Sequence, residues 1–186
     1  MVLNKNQIEQ IKFLMRCVSR DEMRMVLNGV FAHSHNELIA TNGVVLCRLN
    51  INHGLEVGKI HKIDIKDKQL ISYGQISGNY PCWENVIPLK NEKIGVLNFV
   101  DKIDYLPIAK MLKIVNFNYE LLKGIPAGKY DFLVDYKQLN KPFLLQNDIM
   151  QIAIMPLRIV DDCYNFNDIN NIAIDFKDYV SKIFES

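Results

Sequence analysis

Four histidines and four cysteines are the side chains with most chemistry to offer. His33 and His35 stand two apart, which on a strand points both rings the same way; His53 and His61 follow further on. A metal site needs more ligands at convergent positions, and Cys17, Cys47, Cys82 and Cys163 lie far apart with no paired spacing to supply them. No metal and no cofactor is expected. The chain also has no glycine loop followed by Lys-Ser/Thr, no Gly-x-Ser-x-Gly elbow and no paired His/Glu motif. No catalytic residues are expected, and the protein reads as a binder and not an enzyme. The remaining candidates are cations: Lys5, Lys12 and Arg16 fall within about 40° of one another on a helix at 100° per residue, and Lys110 and Lys113 share one side of a second helical stretch.

Composition narrows the partners. The chain has 186 residues, 49% hydrophobic and 23% charged, which is ordinary for a globular protein of one domain or two small ones. Twenty-two basic and 21 acidic residues leave a net charge of +1, without the basic excess of a typical nucleic-acid binder. No stretch approaches the roughly 18 apolar residues that a membrane span requires. There is no N-terminal apolar run of a signal peptide, and the scattered cysteines suit a reducing cytoplasm.

The elements that must position these residues follow from periodicity. Ile8, Ile11, Met15 and Val18 recur at helical spacing, so residues 6 to 18 read as an amphipathic helix with an Asn at its start. Met23 to Ile51 is β-branched and apolar, broken at Asn28-Gly29 and at Thr41-Asn42-Gly43, which predicts two strand pairs. Propensity alone puts a hairpin turn at Asn28-Gly29. Gly58, Gly74 and Gly78 among short apolar runs suit brief strands and tight turns over 57 to 80. Asp104 to Val115 reads as a helix with Asp104 as N-cap and Pro107 in its first turn. Lys129 to Val134, Pro142 to Leu145 and Gln151 to Ile159 read as strands. Residues 161 to 186 are acidic and Asn-rich, then apolar, with a short helix expected at Asp175 to Phe184.

Three strings carry more than periodicity: SRDEMRMVLNGV with LIATNGVVL, then NYPCWENVIP, then QIAIMPLRI, in that order from Ser19 to Ile159. Together they resemble the bacterial replicative sliding clamp, the ring-forming β subunit of DNA polymerase III, with matches at Arg24, Leu27 to Val30, Ala40 to Leu46, Tyr80 to Pro88 and Met155 to Ile159. The resemblance implies an α+β fold of the DNA-clamp type, helices packed on antiparallel sheets, abbreviated from three domains. It implies a middle-domain-like unit over 1–97, a C-terminal-domain-like unit over 98–160 and an extra tail over 161–186. It also moves Asn28-Gly29 from a hairpin turn to a place inside or beside a strand, and marks a second helix as missing or very short in the first unit.

The function implied is a noncatalytic polymerase-tethering or processivity factor in DNA replication. Its partners would be a DNA polymerase or other proteins whose peptide carries a glutamine followed by leucine and phenylalanine, with double-stranded DNA and self-association also open. The resemblance lines the peptide cleft with Arg24, Leu27, Thr41, Gly43, Leu46, Pro88, Met155, Pro156, Leu157, Arg158 and Ile159. Lys12, Arg16, Lys110 and Lys113 would face DNA. The alternative is an interaction module that binds such peptides without encircling DNA. One departure from the family stands in the turn, where Asn42, Val44 and Val45 replace its Asp, His and Arg and make the rim more apolar. Without the resemblance, Tyr80 and Trp83 are anchors of a packed aromatic turn, and Met155 to Ile159 is the end of a core strand.

Overall fold

An asparagine sets where the chain first becomes regular. Asn4 caps helix α1 (Lys5–Arg16): its side chain accepts from the Gln7 amide at 2.9 Å, and the Gln7 side chain accepts from the Asn4 amide at 2.9 Å. This reciprocal pair satisfies two donors that a helix start leaves open. The structure, a computed structural model, describes residues 2–87, 92–100, 107, 111, 115, 117–135 and 141–157. The helix begins and ends within two residues of expectation, and the expected face meets the core, but the most deeply buried stripe is shifted from it. Ile11, Phe13 and Leu14 are buried, with Cys17 just beyond, while Ile8, Met15 and Val18 are only partly covered. The unbroken apolar run from Phe13 to Met15 fits more than one helical stripe, and the sheet chooses among them.

Among the described residues that sheet has nine strands: β1 (Val30–Ser34), β2 (Glu37–Thr41), β3 (Val45–Asn50), β4 (Ile60–Lys66), β5 (Gln69–Ile76), β6 (Glu92–Phe99), β7 (Gly128–Val134), β8 (Phe143–Gln146) and β9 (Met150–Ile154). They run in the order β5-β4-β1-β2-β3-β9-β8-β7-β6, with every neighbouring pair antiparallel. The seam is β3 against β9, where Val45 pairs with Ile154 and Leu49 with Met150. Alternation along the strands divides the side chains between two faces. Val45, Cys47, Leu49, Ile152, Ile154, Phe143, Leu145, Phe132 and Tyr130 point into one large core with α1, Met111 and Val115. Leu46, Ala153, Leu144 and Ile39 point the other way, into a smaller cluster with Trp83.

Several expectations change here. Met23 to Leu27 is not a strand but part of a 3-10 turn, Glu22–Leu27, capped by the Asp21 carboxylate on the Met23 amide at 2.9 Å. Local capping outweighs β propensity in so short a segment. Asn28-Gly29 makes no hairpin and leads directly into β1, beside a strand as the resemblance implies. Gly29 is required there, because a Cβ would meet Ile60 Cγ2 at 2.7 Å and the His61 carbonyl at 2.9 Å. Residues 57 to 80 form the β4–β5 hairpin, turned at Asp67 and Lys68 with φ of 50° and 59°; among the described residues that stretch has no helix. β6 is an element the sequence reading did not single out. The division expected between residues 97 and 98 falls inside it, where Leu97 and Asn98 pair continuously with Tyr130 and Lys129.

Of the helix expected over 104 to 115, Pro107 and Met111 are helical, and the Val115 amide donates to the Met111 carbonyl at 2.9 Å. Lys110 and Lys113 lie outside the described residues, as does the tail 161–186 with its expected helix. β9 ends at Ile154, so the strand expected to run to Ile159 is shorter.

His53 ties the β1 end to the following loop. Its Nδ1 accepts from the Leu55 amide at 3.0 Å, so Nε2 carries the proton and donates to the Ser34 carbonyl at 2.6 Å. Burial holds this ring below the ordinary histidine value of 6.5. The folded chain therefore prefers neutral His53, and the unfolded chain takes up the proton first as pH falls. This contribution to stability is complete above pH 6.5 and is lost as pH drops from there through the lowered folded value. A ring-proton NMR titration checks it: the His53 resonance should stay neutral below pH 6.5, and a midpoint at or above that value would contradict the account.

Candidate functional site

The β2–β3 turn carries Thr41 and Gly43 of the expected site. The Thr41 hydroxyl donates to the Val45 carbonyl at 2.7 Å and accepts from the Gly43 amide at 3.0 Å. The Asn42 carboxamide oxygen accepts from the Val44 and Val45 amides at 2.9 and 3.0 Å, an Asx turn that ties the loop to itself. Gly43 has φ of +91°, a region that disfavours side chains. The space a Cβ would take is filled by the Arg24 guanidinium, whose Nη1 would stand 2.6 Å from it. Arg24 is itself held by Asp21, Nε to Oδ2 at 2.8 Å, which together with the Met23 amide keeps the Asp21 carboxyl below its usual range.

From the far end of the described chain, the Met155 amide donates to the Val44 carbonyl at 2.8 Å. The β3–β9 ladder thus delivers Met155 to the same turn, with Pro156 and Leu157 next in the chain. Arg24, Thr41, Gly43 and Met155 come together there, with Leu46 one step in along β3. Exposure differs among them. Leu46 (1% exposed), Leu27 (8%) and Thr41 (8%) are buried, whereas Leu157 is half exposed, as is Val44, which the sequence reading left off the cleft wall. Pro88, Arg158 and Ile159 lie outside the described residues.

Beside this turn the outer sheet face carries the 80–87 segment. Tyr80 stacks on Phe31, centroids 5.0 Å apart at 8°, and Trp83 meets His33 edge-on at 5.3 Å. Arg48 lies 5.7 Å over the Trp83 ring while its Nε donates to Glu37 at 2.9 Å. Trp83 is 7% exposed and covers Ile39, Leu46, Leu144 and Ala153. Its indole N–H is buried without a hydrogen-bond partner.

The other wall is a feature the sequence reading missed. An open concavity of about 490 Å³ is lined by Arg16, Val18, Ser19, Arg20, Asp21, Arg24, Asn42 and Val44. It sits where α1 ends, the 3-10 turn begins and the β2–β3 turn comes alongside. Arg16, expected on a DNA-facing helix flank with Lys12, reaches into this wall; its guanidinium also fills the space beside Gly124, where a Cβ would stand 2.5 Å from Nη1. Lys12 stays exposed on α1 and pairs with Glu9 at 3.7 Å. The spacing 16, 20, 24 was legible, but a chain that leaves its helix after residue 16 gives no periodic rule for placing the next two arginines together.

Among the described residues no group of histidines, cysteines and carboxylates could hold a metal ion. Both nitrogens of His53 and of His61 are engaged: His61 Nε2 meets the Glu56 carbonyl at 2.9 Å and Nδ1 meets Ser72 Oγ at 3.1 Å. No helix among the described residues is long and apolar enough to cross a membrane.

No protein-family profile matches this sequence, and no curated protein does. The fold does match solved structures. The DnaN sliding clamp of Bartonella birtlesii, bound to griselimycin, aligns with a TM-score of 0.56 at 16% identity, covering 82% of this chain and 64% of that one. The Caulobacter crescentus pol III beta gives 0.58 at 17% identity, with 82% and 63% covered. The Helicobacter pylori beta clamp, in complex with 3,4-difluorobenzamide, gives 0.57 at 12% identity, with 85% and 65% covered. The chain has the fold of these bacterial sliding clamps, and it spans less than two thirds of the length of each of these neighbours.

Proposed function

We propose that this shortened clamp fold serves DNA replication as a noncatalytic tether, holding a polymerase or another replication protein by a short peptide seated at the β2–β3 turn. One observation carries the reading: the Met155 amide bond to Val44 brings the Met-Pro-Leu segment against the turn that Arg24 and Gly43 build. Leu157 and Val44 offer accessible apolar side chains, and Leu46 and Ala153, paired on the neighbouring strands, are buried. Met155 and Pro156 are partly exposed between them. Methionine re-packs around different apolar anchors, and proline gives a wall without a spare amide donor. Such a site favours exchangeable binding of roughly micromolar order. Cys17, Cys47 and Cys82 are free thiols, the first two buried, which suits the reducing cytoplasm where replication proteins work.

The test is a titration of the protein into a fluorescent peptide carrying glutamine followed by leucine and phenylalanine, read by anisotropy. Saturation in the micromolar range supports the reading. No binding at millimolar protein would remove it.

The flank of α1 favours a second reading, an interaction module that takes the same peptides and does not encircle DNA. Lys12 is paired with Glu9, and Arg16 turns toward Gly124 and the concavity. On the described helix Lys12 is thus engaged with Glu9, and Arg16 stands apart from the Lys5 and Lys12 flank, beside Gly124. The two readings share the peptide site and differ in assembly and DNA retention.

A further inference from the structure

We infer that the peptide site at the β2–β3 turn is occupied in the free protein by the chain's own segment Asn171-Ile172-Ala173-Ile174-Asp175-Phe176, which a partner's peptide must displace. The inference rests on the peptide-site reading above and adds to it a ligand carried by the same chain. The site has accessible apolar side chains to cover: Val44 is 44% exposed and Leu157 50%, with Met155 and Pro156 partly exposed. What covers them is set by where the chain goes next. The Met155 amide is bonded to the Val44 carbonyl at 2.8 Å. Leu157, two residues on, therefore lies within about 12 Å of that carbonyl by chain length alone. Every later residue is tethered to the site.

Residues 171–176 lie outside the described residues; their chemistry is that of the peptide the site is proposed to take. An amide side chain, Asn171, is followed by two aliphatics, Ile172 and Ile174, and then an aromatic, Phe176. The order amide, aliphatic, any, aliphatic, any, aromatic occurs nowhere else in the sequence. In an extended backbone Ile172, Ile174 and Phe176 point to one side, and β-branched isoleucines favour that backbone. The chain already folds such a run this way. Gln151-Ile152-Ala153-Ile154, which differs from residues 171–174 only in Gln for Asn, lies in β9.

Reach does not limit the segment, since residues 158–170 span up to about 45 Å when extended, several times the return distance to Val44. A ligand on so short a tether meets its site at an effective concentration of about 1 mM. A segment with an intrinsic Kd of about 100 μM would then fill the site and lower the apparent affinity for a free peptide about tenfold. The same segment on a second copy, at micromolar protein, is far too dilute to compete.

The test titrates the fluorescent glutamine-leucine-phenylalanine peptide with the full chain and with its Ile174→Ser/Phe176→Ser double variant, circular dichroism checking the fold and light scattering the mass. The variant should bind about tenfold tighter at unchanged mass. A labelled synthetic peptide of residues 169–178 should bind the variant and be displaced by excess unlabelled glutamine-leucine-phenylalanine peptide. Equal affinity of the two proteins would overturn the inference and leave the peptide site standing. A mass that rises with concentration for the natural chain and not for the variant would seat the segment on a second copy, and the intramolecular inference fails. Binding of the glutamine-leucine-phenylalanine peptide to neither protein would remove the site and the inference together. Should the double variant misfold, the 169–178 peptide is titrated into the natural chain with and without saturating glutamine-leucine-phenylalanine peptide: competition supports the inference, and its absence overturns it.

Discussion

Leu157→Asp weakens binding of the glutamine-leucine-phenylalanine peptide by at least about thirtyfold, roughly 2 kcal/mol, the scale of an interface anchor. Leu157 is 50% exposed in the free chain, so its side chain contributes little to folding but offers apolar area to a partner. A carboxylate there would have to be desolvated beneath a bound leucine or phenylalanine. The thermal midpoint should move by no more than a few degrees, as for other exposed positions. Leu27, expected on the same cleft wall, is a poor probe: at 8% exposure its substitution by a charge would destabilise the fold and confuse the two effects. Unchanged peptide affinity in a folded Leu157→Asp protein would move the site away from the Met-Pro-Leu segment.

Phe143→Ala costs about 3–5 kcal/mol of unfolding free energy, the range for emptying a buried aromatic site. Phe143 is 1% exposed and meets Phe117 edge-on at 5.1 Å and Phe132 at 5.7 Å. Its strand, β8, lies between β7 and β9, with Phe143 opposite Ile154. The loss is a large part of the roughly 5–15 kcal/mol that holds a domain together. Because β9 leads straight into Met155, the variant should also bind peptide more weakly wherever β9 frays. Urea denaturation measures the first effect. A shift below about 1 kcal/mol would mean the aromatic cluster is less tightly packed than its geometry states. Val96→Ala on the edge strand β6, where the side chain is 47% exposed, should stay within about 0.5 kcal/mol.

The sequence made some of this fold legible and hid the rest for identifiable reasons. The helix near the N-terminus was readable because its capping residues and periodicity agree. Its buried face was not, because Phe13, Leu14 and Met15 are all apolar, so nothing local says which of them meets the sheet. The 3-10 turn at Glu22–Leu27 hid among strand-forming residues, since the Asp21 cap that creates it leaves only a one-residue signature. β6 escaped notice because its alternation breaks at a bulge between Lys93 and Gly95, which shifts the pattern by one residue.

The site was legible only through its strings. Nothing in residues 41 to 45 or 155 to 157 alone says that they meet; that juxtaposition comes from the β3–β9 pairing, and strand pairing across so much chain is not written in local pattern. Trp83 and Tyr80 sit as packed anchors over the outer sheet face, the arrangement that the residues suggest without any resemblance. The arginine hollow was invisible for the same long-range reason, because Arg24 reaches Gly43 only once the turn preceding β1 has been folded back onto the turn preceding β3.

The central claim is that a shortened clamp fold acts as a clamp. The most direct measurement is the mass in solution by light scattering, with and without nicked circular DNA, followed by retention on that DNA before and after linearisation. A clamp predicts a closed assembly that stays on the circle and leaves once the circle is cut. A monomer or simple dimer that dissociates equally from circle and linear DNA would contradict it, and would leave the peptide-binding module as the function.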